Sequence, residues 1–280
     1  MSKDESKDEY LITDVPLKAL TVFAMPMILG SFFQQVYNMA DSIIVGQFVG
    51  SSALAAVGAC AALTNVFICV ALGAGVGAGV LVSRYFGARN YSKMKTIVST
   101  SLISFLVLSV LLGIFGFGLS HPMMSLLQTP ADILDEAVLY LRVYFVGFPF
   151  LFMYNILSTM FTSIGESKIP LVLLIFSSVL NILMDLWMVA GLGLGVFGAA
   201  LATLIAQGIS AVFSFIIFFC RMRRYKSHFD WFDRKELRSM LQIAIPSILQ
   251  QVYSIDWHDD STGSCKSVWY NRHSQVMQRQ

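Results

Sequence analysis

Apolar residues in this chain come in long, nearly unbroken runs rather than in the alternation of a half-buried strand or the narrow stripe of a soluble helix. A bilayer core takes about 20 apolar residues per helix. Six runs reach that length, near 17–45, 52–83, 96–119, 133–163, 169–190 and 195–220. The pattern predicts an all-α integral membrane protein with a six-transmembrane-helix bundle. Polar residues collect between the runs, where Gly, Pro, Asn and Ser mark the turns.

Composition agrees with that class: 56% of residues are hydrophobic, 13% are charged, and the mean hydropathy is +0.69. A soluble domain needs more polar surface than this. The net charge of +2 matters less than where the charges sit. Lys3, Lys7 and Lys18 precede the first run. Arg84, Arg89, Lys93 and Lys95 lie between the second and third, and Lys168 between the fourth and fifth. Arg221, Arg223, Arg224, Lys226, Arg234, Lys235 and Arg238 follow the sixth. The alternate connections carry neither Lys nor Arg. The positive-inside rule therefore predicts six crossings with both ends cytoplasmic. The opening MSKDESKDEY has mixed charge and lacks the short apolar core of a secretory signal, so the segment 1–16 is expected to be a cytoplasmic tail.

After the basic loop 221–240 the pattern begins again. AIPSIL, at 244–249 within the run 241–251, repeats the spacing of AMPMIL at 24–29, as expected for the start of a seventh helix opening a second, similar bundle. From Val252 the composition changes, and 252–280 shows neither an apolar run nor a helical period. The expectation for that stretch is a frameshifted tail or premature end that replaces the second bundle.

Polar residues inside the apolar runs carry the chemistry. Gln34, Asn38 and Asp41 stand at spacings of four and three on the first helix, and so share a face. Asn181 and Asp185 stack at i, i+4 on the fifth, and Thr203 and Gln207 on the sixth. At 1.5 Å per residue, Asp185 lies roughly 25 Å along its helix and Thr203 about 12 Å along its own, which places both in the outer half. Tyr140 and Asp41 fall in the same layer. Two carboxylates facing one another in low dielectric cannot both ionise cheaply, so one holds a proton or the pair shares a cation. Neutral oxygens from Asn, Thr and Tyr would complete a shell around a hard cation such as sodium, or hydrogen-bond the protonated acid. The competing reading is that these groups glue helices together. It stays open, most of all for Gln34, Asn38, Asn65, Asn155 and Gln207, which are cavity-lining candidates. Arg142 has two readings, a surface position reached by snorkelling or a position beside the acids.

Other motifs resolve to structure. GLGLGVFG contains G-x-G-x-x-G at Gly193, Gly195 and Gly198 but no preceding strand, and reads as the turn between the fifth and sixth helices. In GAGVGAG, Gly75 and Gly79 have the small-xxx-small spacing of close helix packing. Cys60, Cys69, Cys220 and Cys265 form neither a metal motif nor a disulfide framework, and His121 and His258 have no partners at metal spacing. RMRRYK is a membrane-side anchor rather than a nucleic-acid site. No cofactor motif and no catalytic constellation is present.

The stretches AMPMILGSFFQQVYNMADSIIVGQFVG, RYFGARN, SIGESKIP and NILMDLWMVAGLGLGVFGAALAT resemble the amino-terminal half of a multidrug and toxic compound extrusion (MATE) transporter, of the DinF-type branch. The resemblance runs from Pro16 to Gln251. It implies twelve helices in two lobes, and proton- or sodium-coupled export of drugs and other amphipathic compounds across the plasma membrane. It also implies a first-lobe cation site at Asp41, Asn181, Asp185, Thr203 and Tyr140, and a bend of helix one at Pro26. A second lobe is the expected partner for activity. Two other readings accompany it: a non-transporting fragment or membrane interaction partner, and a relative of the lipid-linked sugar flippases, which share this helix pattern.

Overall fold

The computed structural model describes residues 16–127, 129–223, 225 and 230–253. The expectations for 1–15 and 254–280 lie outside the described residues. Six helices are long and apolar enough to cross a membrane. They are α1 (Pro16–Phe48), α2 (Ser51–Gly87), α3 (Tyr91–Leu126), α4 (Ala131–Ser163), α5 (Lys168–Asp185, continued by a π-helical segment Leu186–Gly191) and α6 (Gly195–Met222). A further helix, α7, covers 234–253.

Each helix extends past its apolar run at one end or both, and at the start of α3 a capping side chain carries it on. Asn90 shows this. Its side chain accepts from the Lys93 N–H at 3.2 Å and starts α3 five residues ahead of the expected 96. Asn90 also closes α2, donating its backbone N–H to the Tyr85 carbonyl at 2.9 Å while Arg89 donates to Phe86 at 3.0 Å. Those paired bonds, with Arg89 in the left-handed region at φ 55, form a Schellman turn. The same turn ends α4 at Gly165, φ 89, inside SIGES. α7 begins at 234 rather than 241. Asp233 accepts from the Lys235 N–H at 2.8 Å, and the charged residues that read as loop form its first turn. The glycine turn read from GLGLG is present, with Gly193 and Gly195 at φ 64 and 58.

α4 is the hub of the bundle and packs on α2, α3 and α6, while α5 packs between α1 and α6. Phe145, Phe148 and Phe152 of α4 are buried, and Phe67 of α2 meets the first two edge-on at 5.1 and 5.3 Å. Lipid offers apolar side chains as good an environment as another helix does, so association rests on close packing. Gly75 and Gly79 supply it. A Cβ at Gly75 would stand 2.9 Å from Thr159 Oγ1, and one at Gly79 2.7 Å from Ser163 Oγ, so a larger residue at either would force these side chains to shift. Apolar side chains face outward on every helix, most densely on α1, where Leu20, Ile28, Phe32 and Met39 are exposed. Arg84, Arg89, Lys93, Lys95, Lys168 and Arg221 share one end of the bundle, here the basic end, where Arg221 pairs with Glu166 at 3.2 Å.

Gly79→Val should lower the stability of the bundle by about 1–3 kcal/mol, the usual cost of overpacking a core. Gly118→Val, at a glycine whose Cβ would meet nothing within 4 Å, should leave it unchanged. Thermal unfolding of the two variants in lipid or detergent makes the comparison, and equal midpoints would contradict the packing described.

Candidate functional site

Four helices converge on one polar cluster inside the bundle. α5 supplies Asn181 and Asp185, stacked one turn apart and 1% and 0% exposed. Directly after Asp185 the helix widens. The Leu192 N–H reaches back five residues to Trp187 at 3.0 Å, and the Leu194 N–H reaches Met188 at 3.1 Å. π-segments of this kind often flank functional residues. α6 brings Thr203 alongside. With the Asn181 amide oriented to satisfy both neighbours, its nitrogen donates to Asp185 Oδ2 at 2.8 Å and its oxygen accepts from the Thr203 hydroxyl and backbone N–H, each at 3.2 Å.

α1 contributes Asp41, whose carboxyl lies in hydrogen-bonding contact with that of Asp185. Two carboxyl groups facing one another in low dielectric cannot both ionise cheaply, which favours a proton or a cation held between them. Asp41 Oδ1 and Asp185 Oδ1 are sequestered from solvent and have no hydrogen-bond partner in the protein. α1 also contributes Tyr37, one turn before Asp41, whose phenol is hydrogen-bonded to Thr203 and faces both acids. α4 closes the cluster with Tyr140, next to Asp41 and Tyr37, and with Tyr144, next to Tyr37. No group of three or more His, Cys, Asp or Glu side chains is placed to hold a metal among the described residues. The donor set is two carboxyl groups ringed by uncharged oxygens, which suits a proton or a small hard cation.

All five residues expected to form the cation site, Asp41, Asn181, Asp185, Thr203 and Tyr140, are thus found in one cluster, joined by Tyr37 and Tyr144. The two tyrosines were missed, although each stands four residues from a member of the set and so shares its face. The remaining polar candidates separate. Gln34 and Asn155 line a cavity of about 540 Å³ with Pro26, Gln35, Tyr154 and Thr159, between α1, α2, α4 and α5. Gln207 and Thr203 line a small crevice between α4 and α6. Asn38 lines neither: Tyr37 and Asp41 take the inward face of α1, leaving Asn38 exposed, where it donates to Gln35 Oε1 at 3.4 Å. Asn65 is exposed on α2 and also lines neither. α1 continues through Pro26, which is buried against that cavity. Arg142 resolves to the surface reading. It is exposed, donates from Nε to Ser120 Oγ at 3.1 Å, and lies over the Phe117 ring at 5.6 Å.

Six helices long and apolar enough to cross a membrane define the class, a polytopic α-helical membrane protein. The MatE family model matches residues 26–187, more than half the chain, and the chain belongs to the MATE family. It is 28% identical over 264 residues to the probable multidrug resistance protein YoeA of Bacillus subtilis, covering 89% of this chain and 57% of that protein. It is 30% identical over 239 residues to the multidrug export protein MepA of Staphylococcus haemolyticus, covering 84% and 52%. A crystal structure of MATE in complex with MaL6 superposes with a TM-score of 0.81 at 28% identity, over 90% of this chain and 56% of that one. The chain therefore spans about half the length of these relatives, and its six-helix bundle corresponds to one lobe of the MATE fold.

Thr203→Val keeps the side-chain shape and removes the hydroxyl that links Asn181 to Tyr37. Because it strands buried polar groups, it should cost about 1–3 kcal/mol in the unfolding of the chain. Wild-type stability in this variant would show that the hydroxyl does not hold the cluster together.

Proposed function

We propose that this chain carries the cation-coupling lobe of an exporter of drugs and other amphipathic compounds, with Asp41 and Asp185 as the coupling pair. The observation that carries the reading is the contact between these two acids inside the bundle. Two ionised carboxylates at that distance in low dielectric repel strongly. The pair is therefore stable with one proton, or with a small cation such as sodium, and strained with neither. Asn181 presents a donor to Asp185, Thr203 sets the orientation of that amide, and Tyr37 and Tyr140 screen the pair from lipid. None of these groups adds charge, which leaves the occupancy of the acids to the coupling ion.

In a two-lobe transporter such a site is useful if the cation and the cargo favour different conformations. Discharging the pair then lets the bundle relax toward one state, and recharging it from the other side of the membrane returns it. Cargo binding and alternating access both require the second lobe. The positive-inside rule puts the basic end of the bundle in the cytoplasm and the acid pair in the outer half of the plasma membrane. The relatives named as multidrug resistance and export proteins support drug-like amphipathic cargo for the complete transporter.

The test is efflux of an amphipathic dye from cells or vesicles against an imposed proton or sodium gradient, in a chain completed by a second lobe. Asp41→Asn and Asp185→Asn should each abolish gradient-driven efflux while leaving the protein folded. Because the two acids act as one site, the double variant should be scarcely worse than either single one. Normal gradient-driven efflux from the double variant would reduce the cluster to structural glue.

A further inference from the structure

Arg142 stands apart from the other cations. Among the described residues the remaining Lys and Arg lie at or next to the basic end of the bundle, whereas Arg142 sits on α4 toward the opposite end. It is exposed, and so are apolar side chains around it: Leu139 and Val146 on α4, and Phe117 on α3. Leu139 and Val146 are three and four residues away and share its face. Acyl chains suit such a surface, but a guanidinium left among them is costly. The side chain is held in place all the same. Its Nε donates to Ser120 Oγ at 3.1 Å, and it lies over the Phe117 ring at 5.6 Å. Ser120 is buried, and its own hydroxyl donates to the Phe117 carbonyl at 3.0 Å, which leaves the oxygen to accept from Arg142.

Ser120 directly follows the apolar run 96–119 of α3, and so marks the edge of the apolar layer. It lies about 9 Å before the end of its helix at Leu126, whereas Arg142 lies about 16 Å after the start of α4 at Ala131. A short turn joins the two helices, so Arg142 starts below Ser120 and its side chain climbs to that edge, as long cationic side chains do in membranes. Only Nε is engaged there. The two terminal nitrogens of the fork have no hydrogen-bond partner among the described residues. Asp135 completes the pattern. It stands seven residues before Arg142, about 10 Å nearer the end of the bundle and about 20° around from the same face. It is exposed, and neither it nor Arg142 has an ion-pair partner among the described residues. The bond to Ser120 keeps the two charges apart, with the cation at the edge of the apolar layer and the carboxylate farther out. Asp132 and Glu136 are exposed at the same end and keep the potential there negative.

We propose that Arg142 and Asp135 form a headgroup site, on the outer surface of α3 and α4, for a phospholipid with a primary ammonium, of the phosphatidylethanolamine class. In such a lipid the phosphate hangs on the glycerol that carries the acyl chains, and the ammonium is the outermost group. The protein presents the complementary order. The two terminal nitrogens of Arg142 take the phosphate as a bidentate pair. Asp135 accepts from the ammonium, and an acyl chain lies along Val146 and Phe117. A headgroup with a phosphate and no cation would satisfy Arg142 but leave Asp135 facing like charge. A trimethylated ammonium would keep its charge and lose its N–H donors. The site is separate from the acid pair and independent of the transport reading, since it concerns the surface of the folded chain and not its cargo.

The experiment is native mass spectrometry of the full chain in detergent, titrated with phosphatidylethanolamine, phosphatidylglycerol and phosphatidylcholine of the same acyl chains. The wild type should bind the ethanolamine lipid in preference to both others. Arg142→Gln should weaken that binding about tenfold, the loss of one charge-assisted contact. Asp135→Asn should erase the preference over phosphatidylglycerol while lipid still binds, because Arg142 still holds the phosphate. Lys168→Gln, which removes an exposed cation at the basic end, should change neither affinity nor preference. If Arg142→Gln fails to fold, Asp135→Asn decides alone, since that exposed carboxylate has no ion-pair partner to lose. Equal binding of the three lipids by the wild type would mean annular lipid only, and would overturn the proposal. So would an unchanged preference in Asp135→Asn, or a loss in Lys168→Gln equal to that in Arg142→Gln.

Discussion

The rest of the bundle is arranged around two acids that cannot both be charged and unaccompanied. Asp41 and Asp185 come from helices far apart in sequence, each long and apolar enough to cross a membrane. Burial of one carboxylate in a membrane is costly. Burial of two in contact is tolerable only with a proton or a cation between them and hydrogen-bond partners around them. The Asn181 amide supplies one to Asp185, the Thr203 hydroxyl fixes that amide, and the phenols of Tyr37 and Tyr140 stand beside the acids. The π-segment directly after Asp185 lets α5 turn back into α6 while Asp185 stays fully buried.

Holding that cluster together takes helices that approach closely, and glycine provides the approach on the face of α2 that meets α4, the hub. Polar and packing requirements are thereby separated along the bundle. α1, α4, α5 and α6 supply the charged and hydrogen-bonding groups, while α2 supplies a backbone surface with almost no side chain. The 540 Å³ cavity lined by Gln34, Asn155 and Thr159 carries amides and hydroxyls but no charge.

Much of this was legible in the sequence, and the reason is physical. Lipid demands long apolar runs, so the six spans stand out, and a carboxylate within such a run is conspicuous because it is expensive. Asn181, Asp185 and Thr203 followed from that contrast and from helical spacing. Tyr37 and Tyr144 did not, because an aromatic in an apolar helix reads equally well as packing. Asn38 and Asn65 lie on exposed faces and line neither of the cavities described. A neutral amide is cheap enough to sit on an exposed face, and a rotation of about 80° separates Asn38 from the Tyr37–Asp41 direction. The start of α7 was placed late because charged residues outside the hydrocarbon extend a helix without extending its apolar run. In GAGVGAG the pair facing α4 was legible as a small face, although spacing does not show what lies against it.

The account rests on Asp41 and Asp185 sharing one proton when no other cation is supplied. Infrared spectroscopy of the chain in lipid, in sodium-free buffer at neutral pH, measures this directly through the absorption of a protonated carboxyl group. The wild type should show that band, and the Asp41→Asn, Asp185→Asn double variant should lack it. Identical spectra from the two would mean that no proton is held between these acids, and would contradict the account.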